Sequence, residues 1–325
     1  MIYKPPFKIT NNIIRLAQDI SKELGFLIGT KLKYQTPHLR KNIKVQTIQS
    51  SLAIEGNSLT VDKITTILNG RRVLALQKDI IEVKNAIKVY KNLKIYNPLL
   101  IDDLLKAHKI IMQSLISDNG QWRSRAVGLV DGNKVTHIAP KAERVPYLME
   151  NLFEFLQNKK EISWLIKACI FHYELEFIHP FSDGNGRMGR LWQQLILMQE
   201  DDIFEYLPIE TLIKNNQSQY YKVLGQCDEN GNSTLFIEFM LEQILSIILL
   251  YTKNNVSKIN TPESRLLFSK NYFKQKKFSR KEYVLLHKDI STATASRDLK
   301  YGLLKGELTK YGENNQTRYR FNIKL

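Results

Sequence analysis

Cysteine is scarce in this chain of 325 residues, which contains only two. Cys169 falls in a strongly apolar stretch that predicts a buried helix, and Cys227 lies in a separate segment. Two cysteines cannot form the multiple disulfides that stabilise small secreted domains. We therefore expect reduced thiols and a cytoplasmic location.

A secretory leader and long hydrophobic runs are also lacking. Residues Met1 to Phe7 contain no apolar core of the kind a signal peptide needs. The longest apolar run, Ile244 to Tyr251, is interrupted by Ser246 and is shorter than the roughly 20 residues that span a bilayer. We expect no membrane partner. No repeat is seen, and the length predicts two domains.

Acidic residues are too few to balance the basic ones, and the formal net charge is +16. The excess is uneven: Thr261 to Leu325 contain 15 Lys and Arg against 6 Asp and Glu. A concentrated positive charge often indicates a polyanionic partner, most often nucleic acid. A general enrichment of Lys, Asn and Ile in the source proteome is the alternative explanation.

The most informative segment that the chain does contain runs from Ile178 to Arg190. It combines one imidazole, one carboxylate, one amide, three glycines and two guanidinium groups. The apolar run Trp164 to Ile178 precedes it, and apolar residues at helical spacing follow it up to Glu200. The segment is therefore predicted to be a loop between two buried helices that ends at a helix N-terminus.

Each polar residue of this loop has a plausible chemical task. The backbone N–H groups of Gly184, Asn185 and Gly186 can form an anion-binding nest. Arg187 and Arg190 lie on one face of the first helical turn, where they can bind phosphate oxygens.

Two further side chains of the loop complete the chemistry. Asp183 offers one hard oxygen, which suits Mg²⁺ shared with substrate phosphates. His179 is the natural proton acceptor near neutral pH. The pattern predicts phosphoryl or nucleotidyl transfer to a hydroxyl; a glycine-rich turn with incidental charges is the alternative.

The segment His179 to Arg190 resembles the Fic-domain signature, His-Pro-Phe-x-(Asp/Glu)-Gly-Asn-Gly-Arg-x-x-Arg, at every specified position. The resemblance implies a mostly helical enzyme that moves AMP from ATP onto a Ser, Thr or Tyr hydroxyl of a protein. It also implies a role for each motif residue: His179 as base, Asp183 as Mg²⁺ ligand, Gly184, Asn185 and Gly186 as phosphate cradle, and Arg187 and Arg190 as ligands of the outer phosphates.

A second motif lies upstream, at the end of a helix predicted from about Asn42 to Gly56. Glu55 is unfavourable at the negative end of a helix dipole, which favours a functional explanation. Ser51-x-x-x-Glu55-Gly56 resembles the inhibitory motif of the same family, which implies that Glu55 pairs with Arg190 and blocks ATP. An exposed glutamate at a helix end is the alternative.

Alternating residues between Gly120 and Pro140 predict a β-hairpin around Asp131-Gly132-Asn133. The family resemblance implies that this hairpin, about residues 126–140, is a flap that holds the target segment by strand addition. Its candidate docking residues are Val127, Leu129, Val135 and His137. A surface hairpin with no binding role is the alternative.

The last segment, residues 262–325, resembles a winged helix: a helix, two further helices joined by a short turn, and a two-stranded wing formed by Gly302–Thr309 and Tyr319–Phe321. A Ser- and Thr-rich helix occupies the recognition position. Binding to duplex DNA, docking to a protein and a purely structural role all remain open. The candidate contact residues are Thr294, Ser296, Arg297 and Lys300.

The fold class is therefore mainly α, a Fic-type helical bundle with a flap and a small winged helix-turn-helix domain. We predict a helical extension at 1–42, a catalytic domain at 43–252, a linker at 253–261 and the last domain at 262–325. His108 and His172 are predicted to be structural or exposed, because neither has a second ligand at metal-binding spacing.

The predicted function is a protein adenylyltransferase that uses ATP and Mg²⁺ and modifies a target protein or itself. Removal of AMP by the same site, with Glu55 orienting a water, is one alternative. A DNA-binding regulator with a silent catalytic core is another, and relatives can transfer other phosphate-containing groups. A second copy of the chain is a further candidate partner.

Overall fold

The computed structural model describes residues 4–29, 37–131, 134–158, 162–259, 261–287, 290–313 and 316–322. These residues form two compact units, Met1–Leu249 and Leu250–Leu325. Helices dominate both units and each contains one two-stranded antiparallel sheet. The predicted mainly helical fold class is confirmed.

The N-terminal unit is built from eleven helices in its described part, the last of which continues into the second unit. They are α1 (Asn11–Gly29), α2 (Pro37–Ile54), α3 (Val61–Leu68), α4 (Gln77–Lys91), α5 (Ile101–Ile111), α6 (Val145–Gln157), α7 (Trp164–Ile178), α8 (Asn185–Leu197), α9 (Ile209–Asn215), α10 (Gln217–Asn230) and α11 (Thr234–Ile259).

Helices α7 and α8 form the centre of this unit. Helix α7 is apolar on every side, as the sequence predicts, and Phe171, Leu175 and Ile178 have almost no exposed surface. Helix α8 packs along it and buries Leu191 and Trp192 completely. The loop between these helices is therefore held at both ends by the most buried elements of the unit.

Helix α11 contains a long apolar segment. By length and composition alone, its stretch Thr234–Thr252 could cross a membrane. Phe236, Met240 and Ile244 have no exposed surface, however, because they pack into the core. Burial in the core therefore accounts for part of this composition: 44% of the stretch is buried, whereas Leu235, Leu249 and Leu250 are exposed.

The predicted hairpin is present as β1 (Gly128–Asp131) and β2 (Lys134–Ile138), which pair antiparallel. Leu129 and Val130 are paired with His137 and Val135, so Thr136 is the extra residue and the bulge lies in β2. The Gly132-Asn133 turn lies outside the described residues.

The C-terminal unit contains α12 (Pro262–Phe273), α13 (Arg280–Leu286), α14 (Thr292–Leu304), β3 (Leu308–Tyr311) and β4 (Arg318–Phe321). Strands β3 and β4 pair antiparallel, and Phe278 forms an isolated bridge to Tyr319 of β4. This is the element order predicted for the last segment. Its own apolar core draws on all five elements: Leu266, Phe273, Phe278, Tyr283, Ala295, Leu299, Leu308 and Phe321.

Some predicted boundaries were wrong. Helix α2 begins at Pro37 rather than near Asn42, because proline suits the first turn of a helix, where its missing N–H is not needed. Helix α11 continues through most of the predicted linker to Ile259, since the first strong helix breaker there is Pro262.

Two further boundaries are set by local contacts. Helices α9 and α10 are separate because the Asn216 side chain caps α9 by donating to the Leu212 carbonyl. The first predicted wing strand starts only at Leu308. Gly302 stays in α14, where Leu266 and Leu308 leave no room for a side chain.

Candidate active site

His179 lies at the C-terminal end of α7 in a left-handed conformation, with φ of 49° and ψ of 60°. That conformation is uncommon for a residue with a side chain and needs support from its surroundings. Arg123 provides it: its Nε donates to the His179 carbonyl at 2.7 Å, and its backbone N–H donates to the Pro180 carbonyl at 2.9 Å.

Arg123 also joins this loop to the base of the hairpin. Its guanidinium donates to the carbonyls of Arg125 and Pro140, which flank β1 and β2. Burial lowers the pKa of Arg123, and only 3% of the residue is exposed. One buried cation therefore fixes the backbone of both the histidine loop and the hairpin base.

Asn185 closes the loop upon itself. Its Oδ1 accepts from the Phe181 N–H and its Nδ2 donates to the Phe181 carbonyl, both at 2.9 Å. This side chain therefore fixes the shape of the loop, and the predicted cradle would draw on the backbone N–H of Asn185.

The start of α8 forms the predicted cradle. Gly184 has φ of 90° and precedes the helix, so the backbone turns sharply into the positive helix end. A Cβ atom on Gly186 would lie 2.5 Å from Oε1 of Glu55. A carboxylate from α2 thus already occupies the space above the first turn of α8.

Arg190 receives this carboxylate. Its Nη2 donates to Oε1 of Glu55 at 2.6 Å and to the Ser51 carbonyl at 3.0 Å, and its Nε donates to the Ser51 hydroxyl at 3.2 Å. Burial opposes the charge of Arg190, but the adjacent Glu55 more than compensates and raises the pKa of Arg190. Three residues that the sequence singled out therefore meet at one contact.

Arg187 is held between two carboxylates. Its Nη1 donates to Oε1 of Glu82 at 3.2 Å and its Nη2 to Oδ1 of Asp183 at 3.0 Å. Its Nε is buried without a hydrogen-bond partner in the described part of the chain. A buried donor of this kind points to an acceptor that a ligand would supply.

Glu82 also reaches the turn that follows Glu55. Its Oε2 accepts from Nδ2 of Asn57 at 2.7 Å, and the residue is 5% exposed. Asp79, on the same helix, accepts from the Ser58 hydroxyl at 2.7 Å. Helix α4 therefore anchors both the turn after Glu55 and the Arg187 side chain.

A further carboxylate, Glu176, lies beside this cradle. Its Oε1 is 3.7 Å from Nε2 of His172 and accepts from the Tyr220 hydroxyl at 3.4 Å. Burial alone would raise the pKa of Glu176, but His172, Arg190 and His179 lower it overall. His172 is fully buried, as its predicted structural role requires.

The His179 ring has one contact that bears on its chemistry. Its Nδ1 lies 3.4 Å from the Glu176 carbonyl oxygen. A proton on Nδ1 would be donated to that oxygen, which makes Nε2 the basic nitrogen. The ring is half-buried at the rim of the cradle, as a proton acceptor for an incoming hydroxyl must be.

The structure describes the other predicted residues less fully. Val127 precedes β1 and is half-buried, whereas the side chains of Leu129, Val135 and His137 lie outside the described residues. Thr294, Ser296, Arg297 and Lys300 all lie on α14, in the other unit.

Sequence reasoning missed Glu82, Arg123 and Glu176. Glu82 and Arg123 have no local pattern that separates them from solvated charges. Glu176 did offer a signal, because it is an acid three residues before His179 in a mostly apolar helix.

Comparison with known proteins identifies relatives of this chain. The model of the Fic/DOC family matches residues 98–197. The protein adenylyltransferase Fic of Nematostella vectensis is 30% identical over 211 residues, which cover 62% of this chain and 47% of that protein. The protein of the same name from Drosophila erecta is 31% identical over 214 residues, covering 62% and 41%. The chain thus spans less than half the length of these curated relatives.

Solved structures include a relative that matches throughout. A Fic family protein from Desulfovibrio desulfuricans G20 is 35% identical, covers 99% of each chain and superposes with a TM-score of 0.74. Fic-1 from C. elegans (residues 134–508) is 20% identical, covers 76% of this chain and 72% of that one, and has a TM-score of 0.61. The second likeness establishes a shared fold alone.

The arrangement as a whole can bind a polyphosphate and deprotonate a hydroxyl. Backbone N–H groups and two arginines converge at the start of α8, with a histidine at the rim. Glu55 lies in the same space and occupies one of the two arginines. An anionic substrate must therefore displace or bypass this carboxylate.

Proposed function

The chain belongs to the Fic family, and we propose that it is a protein adenylyltransferase, which transfers AMP from ATP to a Ser, Thr or Tyr hydroxyl of a target protein or of itself. The relatives described above carry this activity in their names. The observation that carries the proposal is the phosphate cradle at the start of α8, with its two buried arginines. The Glu55 carboxylate lies above Gly186, in the place that a phosphate would take.

His179 acts as the general base. The target hydroxyl attacks the α-phosphorus of ATP, Nε2 of His179 accepts its proton, and pyrophosphate leaves in line. The hydrogen bond from Nδ1 to the Glu176 carbonyl supports this tautomer. Arg123, which binds the His179 carbonyl, keeps the ring at the rim of the cradle.

The two arginines hold the β- and γ-phosphates. Arg187 offers its unpartnered Nε, and Arg190 offers its fork once Glu55 moves away. Preorganised donors in a buried site stabilise the charge that develops on the leaving group.

Magnesium suits the one carboxylate available at the cradle. Asp183 is 49% exposed, and no cluster of three or more His, Cys, Asp or Glu residues that could hold a metal occurs in the described chain. Asp183 would therefore hold Mg²⁺ jointly with substrate phosphates, and the ion would neutralise phosphate charge when bound.

Glu55 restrains the enzyme. Its carboxylate takes the guanidinium that the γ-phosphate needs and repels the triphosphate. Two unit charges about 4 Å apart interact by roughly 4 kcal/mol at an effective dielectric near 20. Because each ~1.4 kcal/mol is about tenfold in binding, this contact is strong enough to misplace ATP.

Label transfer from α-labelled and γ-labelled ATP tests the proposal. With magnesium present, we expect protein labelling from the α-position only, at least about tenfold stronger in Glu55→Gly than in wild type, and none in Glu55→Gly/His179→Ala. Labelling from γ-ATP would indicate a kinase instead. No labelling by Glu55→Gly from either ATP would contradict the proposal.

The same reagents test AMP removal. A target labelled beforehand by Glu55→Gly is incubated with wild type and with Glu55→Gly. Release of AMP by wild type alone would favour hydrolytic removal of AMP, with Glu55 orienting the water.

A further inference from the structure

The C-terminal unit exposes far more positive than negative charge. Within residues 261–287, 290–313 and 316–322, eleven exposed residues are Lys or Arg and four are Glu. The exposed basic residues are Lys274, Lys276, Lys277, Arg280, Lys281, Arg297, Lys300, Lys305, Lys310, Arg318 and Arg320. This ratio indicates a partner with dense negative charge.

Helix α14 presents one continuous exposed stripe. Ala293, Arg297, Lys300 and Leu304 recur at helical spacing, and all four are exposed. The stripe is about 16 Å long at 1.5 Å per residue. Ala293 lies at its N-terminal end, two long cations at its centre and Leu304 at its C-terminal end. A helix that docks into a protein groove presents several apolar anchors at these positions, whereas this stripe has one large apolar residue.

A cavity of about 340 Å³ adjoins the start of this helix. Its lining residues include Arg280 and Lys281 of α13, Thr292 of α14, and Thr317 and Tyr319 at β4. Two cations and three hydroxyl groups therefore face one concave surface. Such donors bind phosphate oxygens.

Buried contacts fix α14 in the unit. Arg265 of α12 forms a bidentate pair with Asp298, at 2.5 and 2.7 Å, and Asp298 is 1% exposed. On the exposed side, Nη1 of Arg280 donates to the Ser296 hydroxyl at 3.0 Å. The stripe and the cavity are thus parts of one rigid surface.

One acid lies near this surface in the part of the unit that is described. Glu282 accepts from the Ser279 hydroxyl and is 3.8 Å from Arg318. The serine hydroxyl and the arginine therefore partly neutralise the charge of Glu282, and the net charge of the surface stays positive.

We propose that this surface binds double-stranded DNA, with α14 in the major groove and Arg280 and Lys281 on the flanking phosphates. The major groove is about 12 Å wide and admits one helix. In this arrangement Arg297 and Lys300, at the centre of the stripe, contact base edges or phosphates. Ala293, one turn before them, is small and lets the helix approach the DNA closely. This binding function is separate from AMP transfer.

Fluorescence anisotropy of the full-length chain with a pool of labelled 30-bp random duplexes tests the proposal. We expect a Kd in the range of about 10⁻⁶–10⁻⁴ M at physiological salt, typical of sequence-independent binding. The logarithm of the affinity should fall with the logarithm of salt with a slope of roughly −3 to −4, because about four phosphates are neutralised at ~0.9 each.

Variants assign the binding to this surface. Arg297→Ala/Lys300→Ala and Arg280→Ala/Lys281→Ala should each reduce the slope by about two. Arg297→Lys/Lys300→Arg keeps the charge and should retain the slope. Lys63→Ser/Lys222→Ser removes the same charge from exposed sites in the other unit and should retain it too. All variants should keep AMP transfer, which also reports that they fold.

Three outcomes would overturn the proposal. One is no binding at ~50 mM salt with about 100 μM protein. Another is an unchanged slope in both alanine pairs. The third is competition by poly-L-glutamate as effective as unlabelled duplex at equal charge, which would indicate an acidic protein partner.

Discussion

His108 shows how a single residue supports the site without taking part in the chemistry. Its Nδ1 accepts from the Gly120 N–H and its Nε2 lies 2.9 Å from the Asp183 carbonyl. Since Nδ1 is an acceptor, Nε2 must carry the proton that it donates to Asp183. The ring also stacks on Phe181 at 3.6 Å between centroids. A neutral His108 therefore holds the motif loop through its hydrogen bond to Asp183 and its stacking on Phe181.

The stability of the protein should depend on the neutral state of His108. Burial lowers its pKa from 6.5 to about 4. The unfolded chain protonates this histidine below pH 6.5 while the folded chain does not, so its contribution is full above pH 6.5 and is lost as the pH falls toward 4. We expect about 2 kcal/mol of this loss between pH 7 and pH 5.

Urea unfolding of wild type and His108→Gln measures this contribution. Glutamine does not titrate, so the variant should lose about 2 kcal/mol less stability than wild type on going from pH 7 to pH 5. Equal losses in the two proteins would contradict the neutral, buried assignment.

Glu210 should make the stability of the protein depend on pH in the opposite direction. Burial raises its pKa from 4.5 to about 7, and its Oε2 is buried without a hydrogen-bond partner in the described chain. The unfolded chain ionises it above pH 4.5 while the folded chain keeps the proton, so stability falls as the pH rises from 4.5 to 7. The total fall is about 3 kcal/mol.

Glu210→Gln should remove this fall, because glutamine stays neutral and keeps an acceptor for the Tyr90 hydroxyl, 3.5 Å from the carboxylate. We expect the variant to be more stable than wild type at pH 8 and similar to it at pH 4.5, by urea unfolding at both values. A stability gap that is the same at both pH values would show that Glu210 does not titrate in this window.

At the scale of elements, the contact between Glu55 and Arg190 depends on three helices that are distant in sequence. Glu55 directly follows α2, Arg190 lies on α8, and Glu82 of α4 contacts Asn57 after α2 and Arg187 of α8. Asn57 adds a further bond to the Asp79 carbonyl at 3.2 Å. The turn after Glu55 is therefore anchored on the same carboxylate that orients Arg187.

Asn57→Ala should weaken inhibition without harming catalysis. Loss of its bond to Glu82 frees the turn that holds Glu55, and a hydrogen bond to a charged group contributes about 1.5–3 kcal/mol. We expect AMP transfer to rise about tenfold in an otherwise wild-type chain, and to stay unchanged when the substitution is added to Glu55→Gly. A further rise in the Glu55→Gly background would mean that Asn57 acts elsewhere.

Glu82 contacts both Asn57 and Arg187, so the Glu55→Gly background is needed to separate ATP binding from inhibition. In that background, Glu82→Gln removes the ion pair with Arg187 and should raise the KM for ATP about tenfold. Lys84→Gln, at an exposed position of the same helix, is the matched control and should leave KM unchanged. A normal KM in Glu82→Gln would contradict the positioning role of α4.

Sequence patterns predicted the elements that carry strong periodicity or a dense motif. Helix α7 and the residues from His179 to Arg190 follow from local signals, and the contact between Glu55 and Arg190 follows from the family resemblance. The roles of Glu82 and Arg123 could not be predicted, because they depend on which helix ends meet in space. The two bonds between the Asn185 side chain and Phe181 could not be predicted either, because the motif does not reveal how the loop closes.

At the scale of the whole molecule, each unit has a core of its own. The C-terminal cluster draws only on α12–α14, β3–β4 and the segments between them. The N-terminal core centres on α7 and α8, where Trp192 and Phe171 are fully buried. Two separate cores predict two cooperative unfolding transitions rather than one.

Calorimetry on the full-length chain tests this prediction with one perturbation for each core. Leu299→Ala removes a fully buried side chain from the C-terminal cluster and should destabilise that transition alone by about 2–5 kcal/mol. ATP added to Glu55→Gly/His179→Ala, which binds without turnover, should stabilise only the other transition, by about 2.7 kcal/mol at 100 times Kd. The response to ATP should be smaller in His179→Ala, where Glu55 still occupies Arg190. A single transition that both perturbations shift together would mean that the two cores unfold as one.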